Sequence, residues 1–247
     1  MYRQIVVLTG AGISAESGLR TFRDQDGLWE EHLIEDVATP EGYARDPQLV
    51  ERFYNERWRQ LHNGDVEPNL AHVALAKLEQ EFEGELLIVT QNIDDLHERA
   101  GSRRLLHMHG ELSKGRCPRS RQTFLLRDPL GEHHTCTCCI PAQRLRPHVV
   151  WFGEMPIGLD RVQHALDTCD LFIAIGTSGS VYPAAGFVDT ANHHGAQTVE
   201  VNIVPPDNDS QFQYHLQGKA SSLVPYLVDR ILNDEVISDQ YDTEMTA

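Results

Sequence analysis

The sequence predicts an α/β fold, a parallel sheet with helices on both faces, and three observations carry that expectation. Short apolar runs recur without polar alternation, at Ile5 to Leu8, Leu86 to Val89, Leu171 to Ile175 and, more mixed, Thr198 to Ile203. Strands buried on both faces of a parallel sheet have this character. Helix-patterned stretches such as Leu70 to Glu81, preceded by Asn69 as an N-cap, separate the runs, so the order reads strand, helix, strand. Small and polar residues gather after the runs, at the edge where an open parallel sheet binds ligands.

The first run leads into GAGISAESG, in which Gly10, Gly12 and Ala15 satisfy the G-x-G-x-x-G/A dinucleotide pattern. Glycines there let backbone amides approach a pyrophosphate at a helix start, although such turns also simply connect strands. The acidic residue that dehydrogenases place at the end of the next strand has no obvious counterpart. Thr21-Phe22-Arg23-Asp24 then reads as a loop, either closing over a nucleotide or forming a surface turn.

From about Glu30 to Asn63 the strand pattern breaks. Val50, Phe53, Tyr54, Arg57 and Leu61, within Pro47 to Asn63, share one arc at helical spacing. A guanidinium inside an apolar arc needs an anion or an outlet: a structural acid, a snorkelling stem or a bound carboxylate. After the second run come Gln91, Asn92, Ile93 and Asp94. LLHMHGEL then sets His107 and His109 two apart, on the same face if this is a short strand, with Gly110 allowing close approach. A histidine beside those polar groups can serve as a general base.

Leu112 to Pro147 is rich in Cys, Arg and Pro and holds four of the five cysteines, between Cys117 and Cys139. An odd number concentrated in one segment favours a metal over a disulfide framework. Cys169, outside the cluster, reads as a small core residue. Gly176-Thr177-Ser178 follows the third run, and Asn202 lies within the fourth. From Asn233 onward the chain is acidic and apolar-poor, which predicts a disordered tail.

At 247 residues the chain accommodates one main domain and a smaller insert. A formal net charge of -16 argues against direct nucleic-acid binding. No stretch approaches the roughly 20 apolar residues that span a bilayer, and the start MYRQIVVLTG enters a strand without a secretory leader. The expected setting is cytoplasmic, without membrane attachment.

The combination GAGISAESG, TFRD, TQNIDDLHERAG, HMHG, the cysteine segment, RPHVVWFGE and GTS resembles the sirtuin family of NAD-dependent protein deacylases, nearest its bacterial CobB-type members. The resemblance runs from about Gln4 to Val228. It implies a Rossmann-like NAD-binding domain from residues 1–30, 64–111 and 148–232. A helical insertion (31–63) and a zinc-binding insertion (112–147) would form the small domain, and 233–247 the tail. The implied reaction consumes NAD as co-substrate. The acyl oxygen of a modified lysine attacks the nicotinamide ribose, nicotinamide leaves, and a histidine general base lets a ribose hydroxyl close on the intermediate. Free lysine and O-acyl-ADP-ribose result.

Matched motif by motif, the resemblance assigns the base to His109, not His107. It assigns NAD contacts to Gly10, Ala11, Gly12, Ala15, Glu16, Thr21, Phe22, Arg23, Trp29, Gln91, Asn92, Ile93 and Asp94. Gly176, Thr177, Ser178, Asn202, Ile203, Val204 and Ala220 fall on the adenosine side. A strand-like Val149 to Glu154, which includes Gly153 as a substrate contact, would pair with an extended acyl-lysine peptide, and Val150 and Phe152 would either line the acyl tunnel or belong to a buried core strand. Tyr54 and Arg57 resemble the pair by which one sirtuin class recognises succinyl and malonyl lysine, a fork of donors suited to a carboxylate. Sirtuins usually hold structural zinc with two C-x-x-C pairs. Here Ser120 stands where one thiol belongs, leaving Cys117, Cys136 and Cys139, with Cys138, His133 or His134 open as the fourth ligand. Two other readings use the same pocket: an ADP-ribosyltransferase acting on proteins, and a non-catalytic NAD-sensing module. The chain is expected to act as a monomer.

Overall fold

The computed structural model describes residues 1–20, 28–29, 32–62, 64–204 and 210–238, residues 28–29 by backbone alone. Strand β1 (Gln4–Thr9) leads through a 3-10 turn, Ala11–Ser17, to a small antiparallel pair, β2 (Leu28–Trp29) and β3 (His32–Leu33). Three helices follow, α1 (Ile34–Val37), α2 (Pro40–Arg45) and α3 (Pro47–Leu61). The chain rejoins the main sheet through α4 (Leu70–Glu81), β4 (Glu85–Thr90), α5 (Leu96–Ala100) and β5 (Leu105–His107). A separate three-stranded antiparallel sheet comes from β6 (Gly110–Arg116), β7 (Thr123–Leu125) and β8 (Arg146–Val149). The last elements are α6 (Leu159–Leu166), β9 (Leu171–Ile175), α7 (Phe187–His193), β10 (Gln197–Asn202), β11 (Tyr214–Gln217) and α8 (Ala220–Leu232).

The main sheet is parallel throughout, in the order β11-β10-β9-β1-β4-β5. Its strands show a period of two across its faces. Ile5, Val7, Leu86, Ile88, Leu171 and Ile173 meet α4 and α8 through Leu75, Leu78, Leu223 and Leu227. Val6, Leu8, Leu87, Val89 and Phe172 meet α6 and α7 through Val162, Leu166 and Phe187. Both faces are therefore covered, which is why the runs lack polar alternation. Cys169 packs within the second of these clusters, as expected. No described helix is long and apolar enough to cross a membrane.

Local chemistry sets the helix starts. The Asn69 side chain accepts from Ala71 N at 2.9 Å, and His72 Nδ1 accepts from Asn69 N at 3.3 Å, a reciprocal box at the head of α4. Asp46 accepts from Leu49 N ahead of Pro47 in α3. On α3 the arc Val50, Phe53, Tyr54, Arg57 and Leu61 is buried, and its apolar members pack against Leu112, Val149 and Trp151. The helical segment and the antiparallel sheet thus share one apolar seam.

Four expectations change. His109 is not on a strand with His107, because β5 stops at His107 and Gly110, at φ +84, turns the chain. Val149 to Glu154 is not a strand. β8 ends at Val149, and Glu154 closes a turn by accepting from Trp151 N while Gly153 sits at φ +88. The fourth run ends at Asn202, with Ile203 and Val204 exposed. The chain stays packed past Asn233, where Ile237 is buried and Val236 O accepts from Arg230; the rest of the expected tail, residues 239–247, lies outside those described.

One buried group makes acid stability testable. His72 is fully buried, and burial lowers its pKa to about 4 from 6.5. The unfolded chain therefore takes up this proton first as pH falls. The contribution is whole above about 6.5 and declines toward about 4, by about 3 kcal/mol in all. Urea unfolding of wild type and His72→Gln at neutral and acid pH should show a shallower acid loss in the variant; parallel losses would exclude His72 as a source.

Candidate functional site

The carboxyl ends of β1, β4 and β9 meet at the point where strand order reverses on either side of β1. Three loops interlock there. Gly10 N donates to Ile175 O at 2.9 Å and Gly12 N to Gly176 O at 2.8 Å. A Cβ on Gly10 would lie 2.7 Å from Gly176 O, and one on Gly12 would lie 2.6 Å from Gly176 Cα. The glycines are thus required by the fit of one strand end against another, and these two amides are engaged within the chain rather than turned toward a ligand. Ala11 and Ala15 lie in the same 3-10 turn. Glu16, from that turn, accepts from Ser221 N and Oγ at the head of α8, next to buried Ala220.

The loop between β4 and α5 supplies the densest polar set. Gln91 Nε2 donates to Thr177 Oγ1 at 3.0 Å, and Asn92 Nδ2 lies 3.1 Å from both Gly10 O and Ser14 Oγ. Ser14 Oγ donates to Asp94 Oδ2 at 3.0 Å, and Leu96 N donates to Asp94 Oδ1 at 3.2 Å. Ile93 O accepts from Leu112 N, tying this loop to β6. Asn202 Nδ2 donates to Thr177 O at 2.9 Å, which holds the fourth run to the third; Ser178 is exposed and bonds Ser180. Burial pushes the Asp94 carboxyl up to about 6, while the bonds from Leu96 N and Ser14 and the nearby His107 oppose it.

His109 Nδ1 sits 3.1 Å from Gln91 O, so this nitrogen carries the hydrogen and Nε2 keeps its lone pair. Burial lowers its pKa, and the bond to Gln91 only partly offsets that. The ring is therefore neutral and basic at neutral pH. Val150 N donates to His109 O and Phe152 N to Ala38 O, so the segment after β8 is bound to both the histidine turn and the helical segment. Val150 is half-buried and Phe152 is exposed, so neither is a buried core position. Trp151 Nε1 donates to Tyr54 Oη at 3.1 Å, which brings α3 to the same place. Arg57 is buried, stacks its guanidinium 3.3 Å from the Phe53 ring centroid and donates to Phe53 O. Its contact with Glu56 is long, at 4.0 Å, and Glu56 faces solvent.

Thr21, Phe22 and Arg23 lie outside the described residues, and Trp29 is described by backbone only, in β2. Ser14 was missing from the sequence-derived site although it lies inside GAGISAESG. Its small hydroxyl carries no pattern of its own, and its role depends on the loop after β4 folding over it. Glu98 and Trp151 were missed for the same reason, since their partners lie elsewhere in the chain.

The cysteine segment brings four thiols together. Cys117, Cys136, Cys138 and Cys139 have their sulfurs within 4.8 Å of one another, and all are free thiols. Cys117 and Cys139 sulfurs are 3.7 Å apart and those of Cys138 and Cys139 are 3.8 Å apart. Four sulfurs about 2.3 Å from one tetrahedral zinc are separated by about 3.8 Å, so the donor set fits that metal. Ser120 Oγ lies 2.9 Å from Cys138 Sγ, so the fourth thiol of the cluster sits beside the serine that stands in the C-x-x-C position. His133 and His134 instead face Asp128.

Residues 10–183 match the Sir2 family. An NAD-dependent protein deacylase of Shewanella oneidensis is 81% identical over 237 residues, covering 96% of this chain and 98% of its own. Among solved structures, a Sir2 homologue in complex with NAD superposes at TM-score 0.83 with 38% identity, over 94% of this chain and 90% of that one. A Sir2 protein bound to a propionylated peptide superposes at 0.75 with 28% identity, over 93% of each chain. With fold, strand-end site and four-thiol cluster in agreement, the chain belongs to the Sir2 family, the sirtuins.

Proposed function

We propose that this protein is an NAD-dependent protein-lysine deacylase that removes acetyl and acidic acyl groups, releasing free lysine, nicotinamide and O-acyl-ADP-ribose. The observation that carries the reading is the convergence of Gln91, Asn92, Asp94 and a neutral His109 at one strand-end crevice. Nicotinamide departure develops positive charge on the sugar, and a preorganised polar site that excludes water favours it. Asp94 and Asn92 bind the nicotinamide end, while Gly176, Thr177 and Asn202 serve the adenosine end. His109, with Nε2 unprotonated, takes the ribose hydroxyl proton. The relatives' names and the complexes with NAD and an acylated peptide support the NAD-dependent deacylase reading.

An extended acyl-lysine peptide lies along Val150 to Gly153. The inward amides of Val150 and Phe152 leave pairing to the remaining backbone groups of that turn. Tyr54 and Arg57 receive a terminal carboxylate on the acyl chain. Support for this comes from the burial of Arg57 in an apolar arc and the link from Tyr54 to Trp151 within the substrate segment.

Matched acetyl- and succinyl-lysine peptides with labelled NAD test the whole reading. Label should leave in a soluble acyl-ADP-ribose; label retained on protein would identify a transferase, and no nicotinamide release a sensing module. Arg57→Met should lower desuccinylation by about tenfold or more relative to deacetylation, the scale of one charge-assisted bond. Equal losses on the two peptides would remove Arg57 as the carboxylate receptor.

A further inference from the structure

Two histidines hang from neighbouring carbonyls of the loop after β4. His109 Nδ1 bonds Gln91 O, and His107 Nδ1 lies 3.1 Å from Asn92 O. His107 differs in its other nitrogen, which lies 2.7 Å from Glu98 Oε1 on α5. A carbonyl oxygen and a carboxylate both accept and neither brings a hydrogen, so both ring nitrogens must donate. The ring is an imidazolium, and its side chain is only 8% exposed. Other titratable groups face it: His97 from α5, Asp94 from the loop, and Glu111 from β6, the last paired with Lys114 at 2.7 Å.

We propose that His107, as an imidazolium bridging Glu98 to the Asn92 carbonyl, is a positioning residue for the nicotinamide end of the NAD site. This rests on the reading of Asn92 and Asp94 as NAD-binding groups. The bond to Asn92 O fixes the peptide from which the Asn92 amide reaches Gly10 O and Ser14, and from which Asp94 meets Ser14. The positive charge also favours the ionised form of Asp94 against its burial. Both histidines hold the loop by its carbonyls; His107 is committed as a cation, and His109 keeps a free lone pair. Burial opposes the charge on His107 but Glu98 overcomes it, so its pKa is raised while that of His109 is lowered.

The test measures nicotinamide release against NAD concentration and pH, on the full chain with an acetyl-lysine peptide, for wild type, His107→Gln, Glu98→Gln and Asp94→Asn. His107→Gln should raise KM for NAD roughly tenfold, the scale of a hydrogen bond to a charged group. Its acid limb of kcat/KM should move to higher pH, because a cation beside Asp94 is gone. Glu98→Gln should move the limb the same way. Nitrogen-15 NMR should show a doubly protonated His107 at neutral pH in wild type and a lower titration in Glu98→Gln. An acid limb unmoved in both variants, with only kcat and the thermal midpoint lowered, would mean packing alone and overturn the proposal. Asp94→Asn separates the two levels. A wild-type KM for NAD in that variant brings down the reading of Asp94 and this role with it; an impaired Asp94→Asn beside an unmoved His107→Gln limb brings down this role alone.

Discussion

His109→Ala should lower kcat for peptide deacylation by roughly 10²- to 10⁴-fold, the usual contribution of a positioned general base, while KM for NAD changes far less. Three features set the size of that loss. The Gln91 carbonyl fixes the Nδ1 hydrogen and leaves Nε2 with its lone pair. Burial lowers the pKa, so the ring is unprotonated at neutral pH. The turn that carries the ring is bonded by Val150 N, so His109 and the segment after β8 keep a fixed relation. The wild-type rate should fall as pH drops through about 6, where Asp94 takes up a proton. Steady-state rates of lysine release across pH check both statements; a His109→Ala variant within a few-fold of wild type would assign the base elsewhere.

Cys138→Ala should release the metal and unfold the antiparallel sheet. Purified wild type should carry about one zinc per chain, because the four thiols match a tetrahedral site. Zinc bound by structural thiolates contributes on the order of 10 kcal/mol to the fold it closes, and the buried set around it is small: Cys117, Cys136, Leu126, Leu130 and Leu145. The contact between Ser120 and Cys138 sharpens the expectation. Ser120→Cys placed on Cys138→Ala restores a thiol at the neighbouring position and should recover much of the zinc. Metal analysis with a thermal midpoint for each variant decides it. Full zinc content in Cys138→Ala would reopen His133 and His134 as ligands.

The parallel sheet was legible because burial on both faces writes itself into the chain as uninterrupted apolar runs, as in Leu171–Ile175. The helix Leu70–Glu81 was legible to its ends, since Asn69 caps one end. The antiparallel sheet was not. Its strand Gly110–Arg116 carries polar and glycine residues on both faces, Thr123–Leu125 is only three residues long, and their order comes from pairing. Val149 to Glu154 looked strand-like from its apolar run, but the carboxylate of Glu154 folds back on Trp151 N, a contact that residue type alone does not announce. That Gln91, Asn92, Asp94 and His109 gather at the strand ends was readable from motif and position. Ser14 and Glu98 were not, because each matters through a partner about 80 residues away or in the next element.

The interlock of Gly10 and Gly12 with Gly176 bears on what damage to this turn means. Any side chain at either position meets backbone, not a flexible neighbour, and can be admitted only by prising β1 away from β9 at their carboxyl ends. Thr177 hangs from the same loop and holds both Gln91 and Asn202, so the two ends of the nucleotide crevice would splay together. The turn is a keystone between strands, and the crevice keeps its width because three glycines leave no room to change it.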